Sequence, residues 1–149
     1  MPMIEVQAGI LDVKAKTRVV TINLVGAAGA GVARLFRDNI PGWYTHYKKM
    51  YKTITPNQFI VYNYDGEILL AVPTKIDWKE DSHRDLVISN LEKLAAITYD
   101  NPAFGTIAIP PLGCGNGNLK YYSDIRKHYV RLFEKHPRDI IVTLGRYTR

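Results

Sequence analysis

Short apolar runs along the chain predict six strands, because β-branched residues cluster in them or apolar and polar positions alternate. These runs cover residues 3–7, 18–23, 58–62, 67–72, 106–109 and 139–144. Between the third and fourth runs lies Asp65-Gly66, a dipeptide typical of a tight hairpin turn. We therefore expect one antiparallel pair there and longer connections elsewhere.

Apolar residues at helical spacing predict four helices. These are residues 31–39, residues 43–51, the segment that carries Val87, Ile88, Leu91, Leu94 and Ala95, and residues 123–135. Pro41-Gly42 is expected to end the first helix, and Pro137 follows the last one. Strands and helices mix along the whole chain, with two parallel-type crossovers late in it. This order predicts an α/β domain whose sheet is covered by helices on both faces.

Composition adds bounds to this picture. The 149 residues are typical of a single domain, 1–149, and 46% of them are apolar, which supports a sizeable core. No apolar run approaches the ~20 residues of a membrane span, and the first residues lack the features of a signal peptide. Cys114 is the only cysteine, so no disulfide can form within the chain. We expect a cytoplasmic protein without a membrane partner.

The formal charge of +6 and a pI near 9.4 favour polyanionic partners, although a basic surface can also serve solubility alone. One aromatic and basic stretch, residues 43–52, could stack bases and neutralise phosphates. The alternative, which the pattern favours, is an amphipathic surface helix whose aromatic residues belong to the core.

Two glycine-rich loops each follow an apolar run and precede a helical pattern. One spans residues 109–119 and the other spans residues 23–33. Glycines let backbone N–H groups approach an anion closely, and a helix N-terminus adds partial positive charge. Two such loops at the carboxyl ends of strands predict a ligand with two linked phosphates.

The upstream loop has the order G-x-x-G-x-G, which is neither the Rossmann order nor a Walker A sequence with its lysine. NAD-dependent redox chemistry and P-loop NTP hydrolysis therefore both lose support. Taken alone, this loop could simply be a tight turn that lets a helix pack on the sheet.

Three side chains near the loops could carry chemistry. Lys75 lies just beyond the fourth apolar run, at the end of a strand. Its amine could stabilise developing charge there or attack a sugar carbon, although a solvated turn lysine fits the spacing better. Asn23 could hold a ribose hydroxyl or a water, or it could bond its own backbone in a turn. Cys114 is expected to be a packing residue. The four histidines show no metal-ligand spacing, so we predict no metal site. We also expect no cofactor.

Taken together, these stretches resemble the macrodomain family, in particular its branch with the antitoxin macrodomains of DarT–DarG pairs and the terminal ADP-ribose protein glycohydrolase. The resemblance runs from about Gln7 to Leu144. Three blocks carry it: Asn23-x-x-Gly26-x-x-Gly29-x-Gly31-Val32-Ala33 with Phe36, Pro73-Thr74-Lys75-x-x-Trp78 with Ser82, and Pro110-Pro111-Leu112-Gly113-Cys114-Gly115-Asn116-Gly117. The middle block discriminates this branch, because ordinary macrodomains lack that lysine.

The resemblance implies a three-layer α/β/α fold with a central mixed sheet that binds ADP-ribose. It implies catalytic roles for Lys75, at the anomeric carbon of the distal ribose, and for Asn23, at the same sugar. The implied ligand-binding residues are Gly26, Gly29, Ala30, Gly31, Val32, Leu112, Gly113, Cys114, Gly115, Asn116, Gly117 and Asn118. Adenine would be held by Asp12 or by backbone alone, since Ile10 replaces the polar residue usual after the first glycine.

The resemblance also implies a hydrolase, an ADP-ribosyl glycohydrolase acting on a modified macromolecule. A nucleic-acid base fits better than a protein, because Gly117 stands where protein-directed members carry a catalytic aspartate. An antitoxin or a counter-defence protein would have this activity, and we expect a monomer. Two alternatives remain open: a phosphatase acting on ADP-ribose 1″-phosphate, and a non-catalytic ADP-ribose reader.

Overall fold

The structure is a computed structural model, and it describes residues 3–77, 83–114 and 117–145. Within these residues, six strands form one sheet: β1 (Ile4–Val6), β2 (Thr17–Asn23), β3 (Ile60–Tyr64), β4 (Glu67–Lys75), β5 (Ile107–Ile109) and β6 (Ile140–Thr143). Their order across the sheet is β1-β6-β5-β2-β4-β3. Only the β3–β4 pair is antiparallel among the described strands, so the sheet is mixed, as predicted.

In the described part of the chain, four α-helices flank the sheet: α1 (Gly31–Asn39), α2 (Pro41–Met50), α3 (Arg84–Tyr99) and α4 (Arg126–Phe133). The second helix starts two residues earlier than predicted, because Pro41 occupies its first turn, where a missing N–H costs nothing. A 3₁₀ turn, Tyr51–Thr53, continues it. The last helix begins with a π-helical turn, Tyr121–Ile125.

The two faces of the sheet pack against different helices, which gives the predicted α/β/α layers. Alternate residues of β2 show this: Val19 packs with α3 and α4, whereas Val20 and Ile22 pack with α1 and α2. All three are at most 2% exposed. On the α2 side, Trp43 and Tyr47 are fully buried, so the aromatic residues of this helix supply core as the favoured interpretation expected.

The hairpin between β3 and β4 turns at Asp65-Gly66, as predicted. Both residues have positive φ, +52° and +79°, the conformation that a two-residue turn of this kind requires. The pairing of β3 with β4 extends along β4 only as far as Ala71. The residues of β4 beyond Ala71 therefore have a neighbouring strand on one side only. Pro73 lies in this part, where its missing N–H is tolerated, and the buried Asn90 amide donates to its carbonyl at 2.8 Å.

A register irregularity lies where β2 and β4 end. Ile22 pairs with Pro73, but the next pair is Asn23 with Lys75, which skips Thr74. Because of this irregularity, Asn23 and Lys75 lie side by side at the carboxyl edge of the sheet.

The opposite edge is held by a buried arginine. Arg18, which is 6% exposed, donates to the carbonyls of Ile10, Ala15 and Val13 and pairs with Glu67. A single guanidinium thus joins the β1–β2 connection to the start of β4.

Candidate active site

A cavity of about 720 Å³ opens at the carboxyl ends of the central strands. Its wall is built by the end of β2, the β2–α1 loop with the first turn of α1, the end of β4, and the loop after β5. The lining residues are Thr21, Ile22, Asn23, Ala27, Gly29, Ala30, Gly31, Val32, Ala33, Thr74, Lys75, Pro111, Gly113, Cys114 and Gly117. Both glycine-rich loops therefore meet at one site, as the sequence predicted.

The Asn23 side chain organises the β2–α1 loop. Its Oδ1 accepts hydrogen bonds from the N–H groups of Val25 and Ala27 at 3.2 and 3.1 Å, and its Nδ2 donates to the Ala27 carbonyl at 2.8 Å. The side chain thus folds its own loop, which is the turn-forming alternative weighed for this residue. Asn23 also lines the cavity, so it remains in place to contact a ligand.

A tyrosine from α2 supports this arrangement from behind. The Tyr47 hydroxyl lies 2.8 Å from the Asn23 carbonyl oxygen and 2.9 Å from its Oδ1. Burial raises the pKa of Tyr47 well above its usual value, so the hydroxyl stays protonated and acts as a donor.

The first turn of α1 lies at the cavity wall, and the N–H groups of a first helical turn have no partner within the helix. Ala30, the N-cap residue, makes no side-chain capping bond, and the first turn carries no acidic residue. Gly31 has a φ of +64°, which brings the chain sharply into the helix. This end of the helix favours an anion.

Lys75 supplies the one charged side chain among the lining residues that the structure describes. It ends β4, is half-buried, and lies beside Asn23 in the sheet. Trp78 and Ser82, which complete this block of the family resemblance, lie outside the described residues.

The loop after β5 is held by α4. Tyr129 donates from its hydroxyl to the Pro110 carbonyl and accepts from the Leu112 N–H at 2.8 Å. Gly113 then turns with a φ of +78°, and its carbonyl accepts from the Leu119 N–H at 3.0 Å. The loop is closed at both ends and frames one side of the cavity.

Cys114 lines the cavity and is half-buried. Burial, with a smaller contribution from Asp124, raises the pKa of its thiol to about 11. The group is therefore a neutral thiol at pH 7, which agrees with the predicted packing role rather than a nucleophile. Within the described residues, no group of three His, Cys, Asp or Glu side chains could hold a metal ion.

Most of the predicted ligand-binding residues that the structure describes form the cavity wall, but three do not. Gly26 is buried against the Tyr51 ring, and Leu112 packs in the core with its N–H already bonded to Tyr129. Asn118 is exposed, with a φ of +66°, beyond the turn of its loop. Gly115 and Asn116 lie outside the described residues.

The cavity also includes residues that the sequence did not single out, namely Thr21, Ile22, Ala27, Ala33, Thr74 and Pro111. Of these, Ala27, Ala33, Thr74 and Pro111 stand inside the quoted motif blocks, which was an available signal. Thr21 and Ile22 offered none, because they read as ordinary residues of a buried strand.

Comparison with known proteins identifies other chains that have this architecture. No protein-family model matches the chain. The macrodomain of Thermus aquaticus DarG superposes with a TM-score of 0.86 at 25% identity, covering 96% of this chain and 98% of that one. The chain belongs to the macrodomain family and is of the DarG type. The predicted resemblance and the predicted fold class are thereby confirmed.

Two further relatives extend this comparison of the DarG-type macrodomain. The DNA ADP-ribosyl glycohydrolase of Mycobacterium tuberculosis is 30% identical over 123 residues, which is 78% of this chain and 34% of that protein. The chain therefore spans about a third of the length of the curated relatives it matches. Thermosipho africanus DarTG, solved in complex with ADP-ribose, has the same fold, with a TM-score of 0.89 at 22% identity over 99% of this chain and 43% of that one.

No helix within the described residues is long and apolar enough to cross a membrane.

Proposed function

We propose that this macrodomain is a hydrolase, an ADP-ribosyl glycohydrolase that removes ADP-ribose from a modified DNA base. The observation that carries the proposal is the position of Lys75, whose side chain lines the same cavity as the two glycine-rich loops. The curated relatives named DNA ADP-ribosyl glycohydrolase support the reaction class.

The cavity suits ADP-ribose in size and in charge. A volume of about 720 Å³ falls in the range of small-molecule sites. We assign Gly29, Ala30, Gly31 and Val32 to the distal phosphate and ribose, where the N–H groups of the first turn of α1 neutralise charge. The loop at 113–118 holds the diphosphate through its backbone N–H groups, and adenine is held by Asp12 or by backbone.

The chemistry takes place at the anomeric carbon of the distal ribose. The bond from this carbon to the base breaks, the base leaves with a proton, and water supplies the hydroxyl that completes free ADP-ribose. The Lys75 amine acts at this carbon. Asn23, its neighbour in the sheet, orients the sugar through the amide that also holds the β2–α1 loop.

Two features favour DNA over protein as the substrate. The chain carries a net charge of +6, which attracts a polyanion. Gly117, rather than an aspartate, lines the cavity in the loop after β5, as in the nucleic-acid-directed type. We further propose that residues 1–149 form one domain that works as a monomer, as an antitoxin or a counter-defence protein would.

The test is release of ADP-ribose from single-stranded DNA that carries ADP-ribosylated thymidine, measured for wild type and for Lys75→Ala. We expect release by wild type and a loss of at least about a hundredfold in the variant. Lys135→Ala, at an exposed lysine beyond α4, is the matched control and should keep full activity.

ADP-ribose binding is measured in parallel by calorimetry. Binding by both proteins without release by either would contradict the hydrolase and favour a reader. Release of phosphate from ADP-ribose 1″-phosphate, without release from DNA, would favour the phosphatase.

A further inference from the structure

A lysine and tyrosine surface lies on the outer side of the β2–α1 loop. It consists of Tyr44, Lys48, Tyr51 and Lys52, and we call it the Lys–Tyr surface. Lys48 Nζ lies 5.9 Å from the centres of both tyrosine rings, and Lys52 Nζ lies 5.7 Å from that of Tyr51. Cations and aromatic faces therefore alternate along one side of α2 and the 3₁₀ turn that follows it.

The residues of this surface are not buried in the core. Trp43 and Tyr47 fill the opposite side of the helix and are fully buried, whereas Tyr44 and Tyr51 are half-buried and Lys52 is exposed. The aromatic and basic stretch noted in the sequence thus divides into a core side and an outer side. The site described above uses only the core side, through the Tyr47 hydroxyl that contacts Asn23.

The charge of the surface is uncompensated. The sequence holds no Asp or Glu from Asn39 to Tyr64, although Lys48, Lys49 and Lys52 fall in this segment. Within the described part of the chain, none of these lysines pairs with a carboxylate. Lysines without a carboxylate partner and half-buried aromatic rings are the two components that single-stranded nucleic acids need, for phosphates and for base stacking.

The surface adjoins the cavity. Lys48 Nζ donates to the Gly26 carbonyl at 3.2 Å, and the Tyr51 ring covers Gly26, where an added Cβ would lie 2.6 Å from the ring. Gly26 belongs to the loop whose residues Asn23 and Ala27 line the cavity. The Lys–Tyr surface and the cavity therefore share one loop.

We propose that the Lys–Tyr surface binds the single-stranded DNA that flanks the modified nucleotide, while its ADP-ribose occupies the cavity. This inference rests on the proposed function. Lysines contact the phosphates, and a neighbouring base stacks on Tyr44. A modified strand should therefore bind more tightly than a modified mononucleotide, because only the strand reaches both sites.

The experiment measures two quantities for wild type and for Lys52→Gln. The first is binding of fluorescent, unmodified oligothymidine, with an abasic oligonucleotide of equal charge for comparison. The second is KM for an ADP-ribosylated oligonucleotide and for ADP-ribosylated thymidine alone. Lys52 is chosen because it lies outside the cavity wall, and Lys127→Gln on α4 is the control of equal charge change.

We expect Lys52→Gln to weaken oligothymidine binding about fivefold and to lower the slope of its salt dependence by about 0.7, the value for one phosphate contact. KM should rise for the oligonucleotide only, with kcat unchanged. Tyr44→Leu should remove the preference for oligothymidine over the abasic strand, because it removes stacking and keeps the charge.

The outcomes separate this proposal from the function it rests on. If wild type releases no ADP-ribose but Lys52→Gln still loses oligothymidine binding relative to Lys127→Gln, the hydrolase is wrong and the surface stands. Equal binding by both variants, or equal binding of abasic and thymidine strands by wild type, would overturn the surface even with full hydrolysis. Equal changes in KM for both substrates would overturn it as well.

Discussion

The hydroxyl of Tyr47 contacts both oxygens of Asn23, the main-chain carbonyl at 2.8 Å and the side-chain oxygen at 2.9 Å. These residues are 24 positions apart and belong to α2 and β2. The side-chain oxygen of Asn23 also accepts hydrogen bonds from two N–H groups of the loop that follows β2. A buried tyrosine thus fixes the residue that folds one wall of the cavity.

Removing that hydroxyl should weaken both the fold and the site. We expect Tyr47→Phe to lower the free energy of unfolding by about 1–2 kcal/mol, because buried acceptors lose their donor. The affinity for ADP-ribose should also fall, since the loop is less well held. Urea denaturation and calorimetry measure the two effects. Tyr64→Phe, at an exposed tyrosine, is the control, and equal stability of the two variants would contradict the prediction.

Two glycines with the same backbone angle separate strain from crowding. Gly26 and Gly66 have φ of +78° and +79°, but an added Cβ would meet the Tyr51 ring only at Gly26. We expect Gly66→Ala to cost about 1–2 kcal/mol, the price of the left-handed conformation. Gly26→Ala should cost at least about 1 kcal/mol more, because overpacking is added. Thermal denaturation of both variants checks this, and equal losses would show that the ring moves freely aside.

The single cysteine offers a direct probe of the cavity. Because burial raises the pKa of Cys114 to about 11, iodoacetamide should react with it about tenfold more slowly at pH 8 than with N-acetylcysteine. ADP-ribose should slow the reaction further, since Cys114 lines the cavity. Mass spectrometry of the alkylated protein gives both rates. A rate that ADP-ribose leaves unchanged would mean that the ligand does not cover this part of the wall.

Acid should destabilise the fold through His136. Burial, together with the charge of Arg138, lowers the pKa of this histidine, and its Nδ1 accepts the Arg138 N–H at 3.0 Å. The His136 side chain therefore binds a proton near pH 6.5 in the unfolded chain, whereas in the folded chain it binds the proton only at lower pH. The free energy of unfolding should fall as the pH drops from 7 to 5.

His136→Asn keeps an acceptor at this position and cannot be protonated, so its stability should change less over the same range. Urea denaturation at pH 7 and pH 5 compares the two proteins. Parallel losses in both would assign the acid sensitivity to other groups.

The features of the fold that could be predicted are those determined by residues close together in the sequence. Asp65-Gly66 specified its hairpin, and the spacing of Val32, Leu35 and Phe36 specified α1 and its buried side. The position of the cavity followed from a topological rule about strand ends.

What could not be predicted depends on partners distant along the chain. Leu112 stands in a binding motif, yet its N–H is taken by Tyr129, 17 residues later. The register irregularity that brings Lys75 beside Asn23 arises only when β2 and β4 pair. Short-range patterns do not contain such information.

The buried Arg18 lies at the end of β2 opposite the cavity, where it ties together the carbonyls of the β1–β2 connection and Glu67. Thr17 adds a bond to the Phe104 carbonyl at the same end. The contacts that stabilise the fold and the residues that line the cavity therefore lie at opposite ends of β2. Substitutions in the cavity loops can change specificity while the contacts at the other end of β2 keep the chain folded. A library that randomises those loops therefore starts from a scaffold that tolerates the changes.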